Sequence, residues 1–294
     1  MLVRRWGEGR GPSDGPESTV VTAWHGHENA VSEAERLVRS RYAAWNRADS
    51  RGLRAALHLP HISLPGARLS IRESEPELLH SPDLRALASV EGWHRSGLDR
   101  LDVLQASPDK VHCVVAFGRH AADGKRYADG QAVYLVTLRD GRWGIQLNSV
   151  TLRPIGVGGP DDSHAVETAS YVLRRWLDAR DGDDPAAERR LVHFPFVELD
   201  GARLLVRRSG TALRRDASAR AVACHGCRSA LGSVRVRERS AHKVTLETEI
   251  ARYAPGGALI SCDLALVIVT HLQGRWGVQV YSSFLTSSSE NGQR

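Results

Sequence analysis

Two arginines stand where alternation calls for apolar side chains. In the run Val111 to His120, one strand face carries Val111, Cys113, Val115, Phe117 and Arg119, and a later run repeats it with Val244, Leu246, Thr248, Ile250 and Arg252. Such an arginine grips an anionic or carbonyl-bearing ligand at a pocket mouth, or else lies ion-paired or snorkelling at a sheet rim, which is the commoner use. His58 and His193 each precede an X-Pro step and are expected to cap helix ends, where an imidazolium satisfies the last carbonyls. His61 alternates with apolar neighbours and is expected to face outward or sit at the rim. Asp200-Gly201 suits a tight hairpin turn better than a general base. Cys224-His225-Gly226-Cys227 has the outline of a metal or redox motif. No second C-x-x-C or close histidine pair completes a zinc set, and haem attachment needs the histidine after the second cysteine. Neither a metal nor a cofactor is expected. A Gly-rich phosphate loop, H-E-x-x-H and a serine-centred elbow are also missing from the sequence.

Composition narrows the partners. The formal charge is +6. Nearly all of the positive charge is arginine spread along the chain, since Lys110, Lys125 and Lys243 are the only lysines, and no basic cluster interleaves with aromatics. Nucleic acid is not an expected partner. Four cysteines, Cys113, Cys224, Cys227 and Cys262, do not repeat with the domain order, so reduced thiols and a cytoplasmic setting are expected. Residues 1–30 are rich in Gly, Pro, Ser and charge, lack a signal-peptide core and are read as a disordered leader, and no apolar run is long enough for a membrane span.

The elements that must position these residues are written twice. Gly141 to Ser149 reads G-R-W-G-I-Q-L-N-S and Gly274 to Ser282 reads G-R-W-G-V-Q-V-Y-S, an offset of 133 (276 − 143, tryptophan to tryptophan) that Lys110-Val111 and Lys243-Val244 share. Ser32 and Glu35 form a capping box, and Val31, Ala34, Val38, Tyr42 and Trp45 then recur at helical spacing. A short second helix carries Leu53, Ala56 and Leu57 up to His58, with Pro60 preventing its continuation. A hairpin turns at Pro65-Gly66, a helical segment kinked at Pro82 runs towards Trp93, and a four-stranded antiparallel meander follows from Leu101. Ala169, Leu173 and Trp176 stand for Val38, Tyr42 and Trp45 in the second copy, and Asp184-Pro185 is a cap with a first-turn proline. Ala132 to Leu138 and Ala265 to His271 are apolar on both faces, so a second layer must cover the outer face. That layer is either the other copy, as an intramolecular pseudo-dimer, or a second chain in a homodimer.

This order resembles the nuclear transport factor 2-like superfamily, which includes SnoaL-like and ketosteroid-isomerase-like cone folds. The residues that carry the likeness are Arg41-Tyr42, Trp45-Asn46, His58 to His61, Trp93-His94, Asp109-Lys110-Val111, Phe117, Arg119, Asp123-Gly124 and Gly141 to Ser149, and both copies are covered. The resemblance implies an α+β fold of two tandem cystatin-like cones, each with N-terminal helices packed on a curved antiparallel sheet. The domains are then 31–152 and 165–285, joined by a linker at 153–164 and followed by a disordered tail at 286–294. It further implies that a cone is either packed shut or binds a small apolar molecule. Tyr42, Trp45, Trp93 and Arg119 are the expected lining of the first cone, with Arg252 in the second. Ketosteroid isomerase pairs a first-helix tyrosine with a carboxylate base near the hairpin. Tyr42 matches the tyrosine, but Leu64 or Pro65 stands at the base position, while the second copy has Asp200 and lacks the tyrosine, having Leu173. Three uses stay open: a ligand-binding protein, a cyclase-, isomerase- or dehydratase-like enzyme, or an interaction scaffold with filled cones.

Overall fold

The computed structural model describes residues 26–79, 84–156, 162–182, 184–213 and 226–284. The first copy contains α1 (Glu28–Asn46), α2 (Ser50–Ala55), β1 (Leu57–Pro65), β2 (Ser70–Arg72), α3 (Glu75–Leu79), α4 (Leu84–Glu91), β3 (Arg95–Ala106), β4 (Lys110–His120), β5 (Arg126–Arg139) and β6 (Arg142–Pro154). The second contains α5 (Ser163–Asp181), α6 (Pro185–Leu191), β7 (Val192–Asp200), β8 (Arg203–Arg207), β9 (Arg228–Ser240), β10 (Lys243–Tyr253), β11 (Leu259–Leu272) and β12 (Arg275–Ser283). Strand order is β2-β1-β6-β5-β4-β3 in one sheet and β8-β7-β12-β11-β10-β9 in the other, the same path walked twice. The chain is two tandem α+β cones. Within each, the meander is antiparallel and the first strand joins its last strand in parallel, β1 to β6 and β7 to β12.

Each cone closes because one long helix presents an apolar stripe to the concave sheet face. Ala30, Ala34, Leu37, Val38 and Tyr42 of α1 pack with Val111, Cys113, Val115 and Phe117 of β4. Ala165, Ala169, Val172, Leu173 and Trp176 of α5 do the same against Val244, Leu246 and Ile250.

Several local expectations are corrected. The first helix opens at Glu28, a turn before Ser32, and the Glu28 carboxylate accepts from Gly26 N at 3.2 Å, so Ser32 lies inside the helix and caps nothing. His58 and His193 lie in strands β1 and β7. Their rings bond neighbouring sheet carbonyls, His58 Nε2 donating to Thr137 O at 3.0 Å and His193 Nε2 to Arg275 O at 3.3 Å. The segment expected as one kinked helix is two, α3 and α4, and Pro82 falls outside the described residues. β6 runs through Arg153 and Pro154 and α5 opens at Ser163, so the connection between copies is shorter than 153–164, with 157–161 outside the described residues. Cys227 is disulfide-bonded, against the expectation of reduced thiols throughout, while Cys113 and Cys262 are in no disulfide; Cys224 and His225 lie outside the described residues. Of the expected leader at 1–30, residues 28–30 belong to α1 and residues 1–25 lie outside the described residues, as does the expected tail at 286–294.

The repeated G-R-W-G is explained as a structural clasp. Asp140 and Gly141 both take positive φ (51° and 72°), as do Gln273 and Gly274 (52° and 75°), the two-residue turn that suits a twisted hairpin. Arg142 then donates to Ala55 O at 3.1 Å and Leu57 O at 2.9 Å, and Arg275 to Arg190 O at 3.0 Å and Val192 O at 2.8 Å, tying each meander to the carbonyls where its short helix ends. The second glycine makes room for the histidine. A Cβ on Gly144 would lie 2.9 Å from His58 Cδ2, and one on Gly277 2.9 Å from His193 Cδ2.

The convex sheet faces meet each other. Ile62, Leu64, Val114, Val133, Leu135 and Leu147 form one buried cluster with Val197, Leu199, Leu266, Ile268 and Val280. Two lysines cross this layer in opposite directions. Lys110 Nζ donates to Leu199 O at 3.2 Å, Ser282 Oγ at 3.1 Å and Ser283 O at 2.5 Å, and Lys243 Nζ donates to Leu64 O at 3.1 Å, Ser149 Oγ at 2.8 Å and Val150 O at 2.8 Å. Lys243 also has the buried Glu238 carboxylate at 3.1 Å, whereas the position equivalent to Glu238 is Gln105 (238 − 133).

Candidate functional site

The first cone is hollow. A cavity of about 740 Å3 opens between α1, α2, α4 and the concave sheet, with Leu53, Leu57, Leu78, Phe117 and Tyr134 among its apolar walls. Its polar lining includes Arg41, Tyr42 and Trp45 of α1, Arg54 of α2, His61 and Ser63 of β1, Arg72 of β2, Glu91 of α4, Arg119 of β4 and Asn148 and Thr151 of β6. Helical spacing sets Arg41, Tyr42 and Trp45 on one side of α1, and sheet alternation sets His61 and Ser63 on the concave side of β1.

Of the residues expected from sequence, Tyr42, Trp45 and Arg119 border this cavity. Trp93 stands behind Trp45 with its ring at 6.1 Å in an edge contact, is buried, and gives its N–H to Ser96 Oγ at 3.0 Å, outside the lining. Arg252 belongs to the second cone, where it is half-buried opposite Ser229 at the far end of β10. Arg119 is buried and ion-paired with Glu91 of α4, so its charge is already answered within the fold.

His61 is the chief correction. It is buried, not outward, with Nε2 2.8 Å from the Asn148 side-chain oxygen and Nδ1 3.2 Å from Ile145 O. Burial, reinforced by the nearby Arg41 charge, pushes its pKa down to about 3, so the ring is neutral at ordinary pH. The cause of the reversal is the convex layer. Ile62 and Leu64 face the other sheet, not the cone, which turns His61 and Ser63 inward. The Tyr42 hydroxyl is held far above the usual phenol range by burial and then by the adjoining Tyr134, while its ring meets Phe117 edge-on at 5.6 Å. It is a neutral hydrogen-bonding group.

Equivalent ground in the second cone is filled. Phe196 replaces His61 (196 − 61 = 135), Tyr281 replaces Asn148 (281 − 148 = 133) and Val267 replaces Tyr134 (267 − 134 = 133). Trp176 contacts Phe196 at 5.9 Å and Tyr281 at 5.2 Å between ring centroids, and the Arg180 guanidinium lies 4.5 Å from the Trp176 ring. Arg180 also bonds Glu198 at 2.9 Å, and Glu198 pairs with the buried Arg207. Aromatic bulk and an ion cluster occupy the centre of this cone.

Arg41, His61, Tyr134 and Asn148 were not singled out as lining by the strand and helix patterns. The signal that finds them is the repeat itself, because each is polar or hydroxyl-bearing where the second copy is apolar or aromatic: Val172, Phe196, Val267 and Tyr281.

Among the described residues no helix is long and apolar enough to cross a membrane. No protein-family model matches the chain, and no curated protein matches it. Solved structures with nuclear transport factor 2-like and cystatin-like folds do match, each over about half of the chain. A cystatin-like protein of unknown function from Nostoc punctiforme PCC 73102 is 11% identical with a TM-score of 0.39, covering 43% of this chain and 94% of its own. A nuclear transport factor 2-like protein of unknown function from Pseudomonas putida KT2440 is 14% identical with a TM-score of 0.37, covering 45% and 93%. One from Novosphingobium aromaticivorans with a cystatin-like fold is 14% identical with a TM-score of 0.36, covering 45% and 95%.

Proposed function

We propose that the protein binds a small apolar molecule in its first cone, and that the second cone is a filled partner held against it as an intramolecular pseudo-dimer. The observation that carries this is the contrast between equivalent positions. His61, Asn148 and Tyr134 border a cavity, and Phe196, Tyr281 and Val267 stand where the ground is packed. A cavity of about 740 Å3 suits a drug-sized ligand.

Binding is favoured over turnover by the titration states. General-base chemistry needs a group poised near the working pH. His61 is held near 3, Tyr42 is held neutral, and Glu91, the one carboxylate among the described lining residues, is engaged by Arg119. The test is native mass spectrometry of the purified chain with organic extraction of whatever co-purifies. One apolar molecule per chain, lost in a variant with a filled first cone, is the expected result. A clean unliganded mass that no apolar compound shifts would overturn it in favour of a scaffold. The enzyme alternative fails if Tyr42→Phe leaves both affinity and any turnover unchanged.

A further inference from the structure

We propose that the ligand of the first cone is an apolar carboxylic acid whose carboxylate is held by Arg41. This rests on the proposal that the first cone is a binding site.

Arg41 lies on the buried face of α1, is 9% exposed and borders the cavity. Among the described residues its guanidinium makes no hydrogen bond and has no carboxylate within ion-pair distance; it lies 6.0 Å from the Trp45 ring centroid and is near His61 and Tyr42. The other two buried arginines among the described residues differ, Arg119 being paired with Glu91 and Arg207 with Glu198. A buried charge without a counter-ion is costly, and the fold bears that cost at a position where the second copy places Val172 (172 − 41 = 131). An arginine that served packing alone would be replaceable by that valine.

One helical turn on, Trp45 borders the same cavity, but its Nε1 is buried without a hydrogen-bond partner just as that of Trp176 is in the second cone, so the indole N–H does not set the first cone apart. An unanswered guanidinium bordering a largely apolar chamber matches a planar anion that accepts its fork. A neutral ketone or ester satisfies the donors and leaves the charge uncompensated. The chamber's aliphatic and aromatic walls demand that the rest of the ligand be apolar.

The experiment is isothermal titration of the full chain with two matched pairs: 2-naphthoate against methyl 2-naphthyl ketone, and dodecanoate against methyl dodecanoate. Each acid is expected to bind at least about tenfold more tightly than its neutral partner, as one charge-assisted hydrogen-bonded pair provides. Arg41→Gln and Arg41→Val are expected to abolish that preference while leaving the neutral compounds' affinity within about twofold, and to unfold no earlier than the parent when unliganded, because an uncompensated charge has been removed. Equal affinities within both pairs, or an acid preference that survives in both variants, would overturn the carboxylate assignment while leaving the first cone a site for apolar molecules. Failure of all four compounds to bind the parent chain would overturn both proposals together.

Discussion

Replacing Lys110 by Met gives the sharpest test of how the two sheets meet. The Lys110 amine is fully buried between them, bonded to Leu199 O, Ser282 Oγ and Ser283 O, and lies 4.4 Å from the Phe284 ring centroid. Burial pushes its pKa from 10.5 down to about 7, with Asp109 and Asp200 opposing the shift. The unfolded chain therefore binds a proton that the folded chain has released between pH 7 and 10.5. Stability from this group is complete above 10.5, falls by about 1.4 kcal/mol per pH unit on descending through that window, and is lost below 7. The full swing is about 5 kcal/mol, from a shift of roughly 3.5 units. Urea unfolding of parent and Lys110→Met at intervals from pH 6.5 to 9.5 reads it, and the parent is expected to gain about 3 kcal/mol on the variant across that range. His112, bonded to Ser282 at 2.9 Å, stays neutral there because burial and Lys110 hold its pKa far below the usual value. A parent-minus-variant difference that is constant with pH would refute the burial of this amine between the sheets.

Gly144→Ala should force the His58 ring off Thr137 O and destabilise the first cone by about 1–3 kcal/mol in urea unfolding, and Gly277→Ala should do the same at His193. His61→Phe combined with Asn148→Tyr writes the second cone's filling into the first. It should lower 2-naphthoate affinity by about tenfold or more in calorimetry while leaving the melting temperature unchanged or raised. Arg180→Met removes one of the two arginines on the buried Glu198 and the cation nearest Glu188, so a loss of about 3–5 kcal/mol is expected, seen as an earlier thermal transition.

The repeat and the broad element order were legible in the residues, because a 133-residue offset preserved through G-R-W-G is a one-dimensional signal, and the core face of Val111, Cys113, Val115 and Phe117 follows from strict alternation, whereas the cone was expected only through the family resemblance. The role of G-R-W-G as a clasp was not legible, since its partners are Ala55, Leu57 and His58, more than 80 residues away in sequence. His58 and His193 look like helix caps in sequence because a strand that follows a helix without a loop leaves no turn signal between them.

Alternation tells which residues share a face of β1 and cannot tell which face is the inside. Because Ile62 and Leu64 are claimed by the opposing sheet, His61 and Ser63 turn into the cone, and a histidine expected at the surface becomes part of the chamber wall. Arg119 could be placed on the apolar face from sequence, but its pairing with Glu91 depends on where α4 packs. Arg41 could be placed on α1, but its want of a partner is a property of three-dimensional neighbours alone. The sequence determines period, repeat and composition, which are local. Tertiary structure decides which side of each sheet is covered and which charges are answered, because both depend on surfaces that meet only after the chain has folded.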